Sequence, residues 1–146
     1  MWIKKPYDGD FKITSPFGYR IHPITGKRKL HTGIDIGLPK GTEVFSPVGG
    51  QVIVSKEQKD EHGKSTGYGK YIAIYHKTDR GTHCQFRFAH LSKLLVKTSQ
   101  YIVAGQLIGL SGNSGGSTGA HLHYEIRIQN EKGFIPQDPK QYTDFA

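Results

Sequence analysis

Two histidines lie two positions apart in residues 117–126, STGAHLHYEI, directly after a run of glycine and serine. Successive side chains of an extended chain alternate between faces, so His121, His123 and Glu125 share one side of a strand and apolar residues occupy the other. Imidazoles on one face can bind a metal ion or move protons. An isolated pair of this kind is more often structural or solvent-facing, so partners elsewhere in the chain must decide.

A second polar cluster is the segment HTGID, which contains His31 and Asp35. Gly33 and Gly37 disfavour the helix that would bring residues i and i+4 together. In a straight strand the two side chains would lie about 13 Å apart, at about 3.3 Å per residue, which is too far to share an ion. Gly33 permits a bulge or bend that would close this gap. Taken alone, the segment also fits a turn histidine and a capping aspartate.

His31, Asp35 and one histidine of the HLH strand would together supply two imidazoles and one carboxylate. This is the ligand set of a catalytic zinc ion that keeps its fourth position open for water. Zinc so held polarises a carbonyl and lowers the pKa of water to about 7, as amide hydrolysis at neutral pH requires. The other histidine of the pair is then free to orient substrate or move a proton. His90, at the end of an aromatic strand, is a further candidate general base or transition-state stabiliser.

The elements around these clusters are predicted to be short strands. Nineteen glycines and seven prolines, without a long segment of helical period, indicate a turn-rich, mostly β protein. The segments TEVFSPVGGQVIVSKE and GYGKYIAIYHK are typical of strands, separated by a polar loop, EQKDEHGKSTG, and a hairpin-like turn is expected near ITGKRK. In THCQFRFAHLSKL, alternation predicts one face shared by Cys84, Phe86, Phe88 and His90.

Length and composition restrict the organisation of the chain. The 146 residues fit one antiparallel β domain, with a core over about residues 13–128 and an irregular C-terminal tail over 129–146. No stretch approaches the roughly 18 apolar residues of a membrane span. The first ten residues lack the apolar segment of a signal peptide, so we expect none in this chain. A single cysteine, Cys84, excludes an internal disulfide framework and is expected to be buried.

The formal net charge of +8 makes an anionic partner plausible. The excess lies in KKP, in GKRK and in scattered lysines rather than in one dense block. Zinc-finger spacing, an RNP-type aromatic signature and a helix-turn-helix period are all missing, so we do not expect nucleic-acid binding. We expect a monomer as an isolated domain.

Three segments carry a resemblance to a known family: SPFGYRIHPITGKRKLHTGIDIGLPKGTEV, FAHLS and AGQLIGLSGNSGGSTGAHLHYE. Together they resemble the lysostaphin/LytM-type zinc endopeptidases, which cleave peptide cross-links in bacterial peptidoglycan. The similarity runs from about Ile13 to Glu125, and the HxxxD, AHL and HxH elements come in the family's order. The resemblance implies antiparallel sheets of the duplicated hybrid motif type, with a substrate groove walled by loops that include the glycine-rich segment.

The resemblance also implies the role of each polar residue. One zinc ion per chain would be bound by His31, Asp35 and His123, and the catalytic pair would be His90 and His121. The implied function is a zinc-dependent endopeptidase acting on cross-links or stem peptides of peptidoglycan. It would work at the bacterial cell wall, in an extracellular, periplasmic or virion-associated setting such as a phage tail or lysis protein. Glycine bridges and links from D-alanine to diaminopimelate suit this chemistry equally.

Other interpretations stay open from the sequence. Some members of the family have lost zinc ligands and regulate other hydrolases, so a non-catalytic wall-binding or activator domain is the alternative, although this chain keeps all the implied residues. A cysteine hydrolase would need Cys84, which lies in an apolar strand and not at an activating site. Arg20 either contacts substrate or ties loops together. Glu125 either supports a metal-binding ring or is solvated. Three further histidines are expected to be structural or exposed: His22, His76 and His83.

The chain departs from the usual family pattern at two positions. Ala120 stands where proline often precedes HLH, and Phe88 stands where tyrosine commonly precedes AHL. Both residues neighbour an implied catalytic histidine, so we expect differences in groove shape or rate without loss of a ligand.

Overall fold

The architecture is almost entirely β-sheet in the computed structural model, which describes residues 1–21 and 25–146. One short 3-10 helix, Pro139–Gln141, is the only helix in these two ranges, and it is far too short to span a membrane. The predicted mostly β fold class is therefore confirmed. The strands of the described ranges are β1 Ile3–Lys4, β2 Ile13–Ser15, β3 Gly18–Ile21, β4 Arg28–His31, β5 Ile34–Ile36, β6 Glu43–Phe45, β7 Gly50–Lys59, β8 Ser65–Lys77, β9 His83–Leu94, β10 Tyr101–Ile102, β11 Leu107–Ser111, β12 Leu122–Asn130, β13 Gly133–Gln137 and β14 Thr143–Asp144.

A large antiparallel sheet positions the polar clusters. Its strands follow the order β10-β7-β8-β9-β12-β5-β2, with β11 joined to β6 and β9, and β13 joined to β12. Beside it, β3 and β4 pair as an antiparallel hairpin, and the turn expected near ITGKRK lies partly outside the described residues. His22, predicted to be structural or exposed, lies outside the described residues. Strands β1 and β14 pair in parallel and bring the two ends of the chain together.

The hydrophobic core lies on one face of β9 and β12. Cys84, Phe86 and Phe88 of β9 are fully buried, as are Tyr124 and Ile126 of β12. Phe88 is directly opposite Tyr124 in the strand register, and their rings stack with centroids 5.6 Å apart. Since opposite residues of paired strands share a face, the apolar faces of the two strands coincide. The polar residues of β12 are thereby directed to the other side of the sheet.

A β-bulge ends the alternation of β9, and here the sequence prediction is wrong. His90 does not continue the core face of Phe88, because β9 carries one extra residue at this point. On β8, Ile72 pairs with Phe88 and Lys70 pairs with Leu91, so the one residue between them on β8 is opposite two residues of β9. His90 has φ of 63°, in the left-handed region that is uncommon for a residue other than glycine. The bulge turns His90 away from the core.

Two other predictions need correction. The polar loop between β7 and β8 is shorter than expected, since the strands extend to Lys59 and from Ser65. The C-terminal tail is not irregular throughout, because β13 pairs with β12. The backbone amide of Lys132 donates to Asn130 Oδ1, 2.8 Å away, and Gly133 has φ of 116°. These are turn-forming features that close a hairpin between the two strands.

Candidate active site

A bend at Gly33 brings His31 and Asp35 together, as expected. His31 is the last residue of β4 and Asp35 is the central residue of β5. A Cβ at Gly33 would lie 2.3 Å from the carbonyl oxygen of Tyr124, so only glycine allows the chain to pass so close to β12. His31 Nε2 consequently lies 3.3 Å from Asp35 Oδ1.

His123 completes a compact group of potential metal ligands. It is directly opposite Asp35 in the register of β12 and β5, and its Nδ1 lies 2.9 Å from Asp35 Oδ1. One ligand atom from each of His31, Asp35 and His123 lies within 4.8 Å of the other two. Ligand atoms of a tetrahedral zinc ion lie about 2.1 Å from the metal and hence about 3.4 Å from one another. The spacing of the three residues fits such an ion.

The second nitrogen of each ring is held by an acceptor. His31 Nδ1 donates to the carbonyl oxygen of Pro16, 2.8 Å away. His123 Nε2 lies 2.8 Å from Glu125 Oε1. These contacts leave His31 Nε2 and His123 Nδ1 to face Asp35. Metal-binding histidines are oriented in this way, with the N–H opposite the metal-binding nitrogen donating to a carboxylate or carbonyl.

Glu125 is fully buried behind His123, so the structure favours ring support over the solvated alternative. Its carboxylate accepts hydrogen bonds from Thr32 Oγ1 at 2.6 Å, Tyr68 Oη at 2.6 Å and Arg127 Nε at 2.8 Å. A buried carboxylate requires such partners, because an unpaired charge in the interior is costly. The network fixes the carboxylate against the ring of His123.

Hydrogen bonding keeps both carboxylates ionised. Burial acts to raise the pKa of Asp35, but hydrogen bonds from His123 and His31 hold that pKa well below its usual range. Burial likewise opposes ionisation of Glu125, yet the hydrogen bond from His123 brings its pKa down to about 2. Burial lowers the pKa of His123, and the two carboxylates outweigh it and raise this pKa to about 9. A metal ion at Nδ1 must therefore displace a proton.

His90 and His121 form a second pair beside the ligand group. Their ring centroids are 4.8 Å apart. His90 Nδ1 donates to the carbonyl oxygen of Ser114, and His121 Nδ1 donates to that of Gly119, each over 2.8 Å. Nε2 of each ring is thus left for the groove, and that of His121 lies 3.6 Å from Asp35 Oδ1. Burial lowers the pKa of His90, which favours its neutral form.

The glycine-rich loop between β11 and β12 holds this second pair. Ser114 Oγ donates to the carbonyl oxygen of Leu91 at 2.6 Å and accepts from the amide of Lys70 at 2.9 Å. A Cβ at Gly115 would lie 2.3 Å from the amide nitrogen of Gly69, so the loop can approach β8 only with glycine there. The carbonyl group that orients His90 is therefore fixed by contacts with two strands.

All five predicted site residues meet in one open groove of about 620 Å³. Arg20 lines this groove, and it donates from Nη1 to Ser15 Oγ at 2.7 Å, which ties β3 to β2. Tyr68 also lines the groove, with its ring centroid 5.9 Å from that of His123, and the sequence analysis missed it. The signal available was a tyrosine between two glycines at the start of a polar strand. The lining residues are Arg20, Lys29, Leu30, His31, Thr32, Asp35, Gln58, Gly67, Tyr68, His90, Gly116, Ser117, Thr118, His121 and His123.

Two further histidines, His76 and His83, and the cysteine are not among the described residues that line the groove. Cys84 is fully buried, and burial raises the pKa of its thiol, which disfavours the thiolate that a cysteine hydrolase needs. His76 Nδ1 donates to the carbonyl oxygen of Gly49, and His83 packs on Tyr75. These two histidines are structural, as predicted.

The profile of Peptidase family M23 matches residues 29–136, most of the chain and all of the groove's histidines. This chain belongs to Peptidase family M23. It is 38% identical over 125 residues to peptidoglycan DD-endopeptidase ShyA of Vibrio cholerae, covering 85% of this chain and 26% of that protein. It is 42% identical over 120 residues to DD-carboxypeptidase/endopeptidase Mpg of Neisseria gonorrhoeae, covering 82% and 25%. This M23 chain thus spans about a quarter of the length of these relatives.

Solved structures confirm the M23 fold. A crystal structure of a zinc-containing peptidase from Vibrio cholerae superposes with a TM-score of 0.77 at 34% identity, covering 93% of this chain and 39% of that one. The catalytic domain of lysostaphin from Staphylococcus simulans superposes with a TM-score of 0.71 at 28% identity, covering 90% of each chain. These matches confirm the family resemblance drawn from the three sequence segments. They also confirm the fold of antiparallel sheets that the resemblance implies.

Proposed function

We propose that this chain is a zinc-dependent endopeptidase that hydrolyses peptide cross-links or stem peptides of bacterial peptidoglycan. In this proposal residues 1–146 form a single, monomeric M23 domain. The observation that carries it is the convergence of His31 Nε2, Asp35 Oδ1 and His123 Nδ1 beside a second histidine pair in an open groove. Relatives named as peptidoglycan DD-endopeptidases support the choice of substrate.

We assign one zinc ion per chain to His31, Asp35 and His123. The spacing of their ligand atoms, and the acceptors that orient both rings, fit this ion. Zinc bound there would polarise the scissile carbonyl and make a water acidic enough to attack near neutral pH. The metal content of the related zinc-containing peptidase supports the assignment.

His90 and His121 carry out the proton transfers in this proposal. Each ring is held at Nδ1 by a backbone carbonyl, which leaves Nε2 as the atom that reaches substrate. A neutral ring accepts a proton from the attacking water and returns it to the nitrogen of the leaving amine. Because the carbonyl acceptors belong to the glycine-rich loop, that loop sets the direction of both rings.

The proposed place of action is the bacterial cell wall, on the extracellular or periplasmic side or on a virion. The net charge of +8 would draw the domain toward the anionic wall. The same chemistry serves a bacterial remodelling enzyme and a phage tail or lysis protein.

Digestion of purified sacculi tests the proposed function. The zinc-loaded protein should release new amino groups, and mass analysis of the fragments would identify the cleaved bond. A chelator should abolish the release and added zinc should restore it. A folded, zinc-loaded chain that binds sacculi without releasing amino groups would contradict the proposal and would indicate a wall-binding or activator domain.

A further inference from the structure

Two cations lie side by side on the wall of the groove that the β3–β4 hairpin forms. Arg20 and Lys29 are directly opposite each other in the antiparallel register, and both line the groove that contains Asp35 and the histidines. Opposite residues of an antiparallel pair have Cβ atoms about 4.5–5.5 Å apart, and like charges at such positions are destabilising. An arrangement of this kind gains stability when an anion binds between the two side chains.

The protein supplies no such anion in the part of the chain that the structure describes. None of the ion pairs there includes Arg20 or Lys29. Asp35 is the single acidic residue among the described lining residues, and its Oδ1 already faces His31 and His123. The contact of Arg20 with Ser15 Oγ is to a neutral group, and it fixes one end of the guanidinium at the groove.

We infer that Arg20 and Lys29 form a subsite for a carboxylate of the substrate peptide, on the hairpin side of the scissile bond. The inference rests on the proposed function and narrows its substrate class. A guanidinium offers a planar fork that matches a carboxylate, and the adjacent ammonium adds a second charge-assisted hydrogen bond. The enzyme therefore favours a cross-link flanked by a residue with a free carboxylate over an uncharged bridge such as one of glycine.

Arg28 on the same hairpin provides a matched control. Its guanidinium lies 3.9 Å from the ring centroid of Tyr19, and it is not among the residues that line the groove. It directly precedes Lys29, and successive residues of a strand point to opposite faces. Arg28→Gln therefore removes the same charge from the same hairpin without altering the proposed subsite.

Two synthetic cross-linked peptides test the subsite. One carries a free carboxylate on each of the two residues that flank the scissile bond, and in the other both carboxylates are amidated. The zinc-loaded wild type should show kcat/KM about 10- to 100-fold higher for the free carboxylate, as expected for charge-assisted hydrogen bonds, with most of the difference in KM. The double variant Arg20→Gln, Lys29→Gln should lose this preference, and Arg28→Gln should keep it. Circular dichroism confirms the fold of each variant.

Binding of the separate product peptides, which are no longer cross-linked, provides a readout independent of hydrolysis. Calorimetry measures this binding. The wild type should bind the free-carboxylate product more tightly than its amide, and the double variant should bind the two alike. If the wild type cleaves or binds both peptides equally, or if the double variant retains the preference, the subsite is wrong while the proposed function stands. If the wild type cleaves neither the peptides nor sacculi, the proposed function fails, and the two product affinities alone then decide the subsite.

Discussion

The groove contains two pairs of histidines that differ in how closely their ring nitrogens approach Asp35. His31 and His123 direct one nitrogen at Asp35 Oδ1, at 3.3 and 2.9 Å, and are tethered at the other nitrogen. His90 and His121 are tethered at Nδ1 by carbonyl groups of the glycine-rich loop and direct Nε2 into the groove. Residue type alone does not separate a metal ligand from a proton carrier. In the proposed assignment the distance to Asp35 Oδ1 separates them, since His121 Nε2 lies 3.6 Å from that atom and both nitrogens of the first pair lie closer.

The two pairs also differ in the elements that carry them. His31 ends strand β4, and His123 lies within strand β12, where its ring contacts the buried carboxylate of Glu125. His90 lies at a β-bulge in a left-handed conformation, and His121 ends the glycine-rich loop. We therefore expect substitutions in the first pair to change metal binding and substitutions in the second to change rate.

Loss of Asp35 should have the largest effect, because its carboxylate lies between the two ligand rings. Asp35→Ala should reduce both metal content and activity to background. Metal per chain is measured by elemental analysis and activity by release of amino groups from sacculi. Asp60→Ala, which removes an exposed loop carboxylate, is the control and should behave like the wild type. An Asp35→Ala protein with one zinc ion per chain would remove this residue from the ligand set.

Removal of one ring of the second pair should have the next largest effect. His90→Ala should lower kcat by about 10²–10⁴-fold, the cost of losing a positioned proton-transfer group, while zinc content stays close to that of the wild type. His76→Ala, which removes a histidine outside the groove, is the matched control.

The double variant of His90 and His121 tests whether the two rings act as a unit. If they do, its kcat should be little lower than that of the poorer single variant. A multiplicative loss would instead show that the rings act independently.

The bend at Gly33 and the shared face of His121 and His123 could be predicted from the sequence, because both follow from local rules. Glycine permits close approach, and a strand alternates its faces. The antiparallel β fold could be predicted from the composition and from the resemblance of three segments to the lysostaphin/LytM-type family. None of these inferences required knowledge of which strands pair.

The features that the sequence did not predict depend on pairing. The bulge at His90 is visible only in the register of β8 against β9, since local alternation continues the face of Phe88. The opposition of Arg20 and Lys29 depends on the register of the hairpin. Tyr68 enters the groove because its side chain contacts His123 and Glu125 of β12, a strand separated from β8 by β9 in the sheet order. Contacts of this kind are set by tertiary structure and leave no local periodic signal.

Glu125→Gln should have a smaller effect that is specific to the first pair. Glutamine keeps an acceptor for His123 but removes the charge, so we expect metal affinity to fall by about 10- to 100-fold, as for other partners of metal-binding histidines. Competition with a chromophoric chelator measures this affinity. Glu57→Gln, which alters a carboxylate of β7 outside the groove lining, should leave it unchanged. Equal affinities for Glu125→Gln and the wild type would reduce Glu125 to a purely structural role.

The effect of salt on association with whole cell walls should be the smallest of these effects. It should not depend on either histidine pair. The net charge of +8 predicts weaker sedimentation with walls as salt rises, because exposed charges are screened beyond about 8 Å at physiological ionic strength. The ligand variants should show the same salt dependence as the wild type. Sedimentation that is equally efficient at low and high salt would show that charge does not drive association.

The zinc content of His121→Ala and His123→Ala, purified in parallel, tests the division between the two pairs most directly. The two residues lie two positions apart, His121 just before β12 and His123 within it, and His123 Nδ1 is 2.9 Å from Asp35 Oδ1 while His121 Nε2 is 3.6 Å from it. Elemental analysis should find close to one zinc ion per chain in His121→Ala and far less in His123→Ala, with both proteins folded by circular dichroism. Zinc retained by His123→Ala and lost from His121→Ala would reverse the assignment of the two rings.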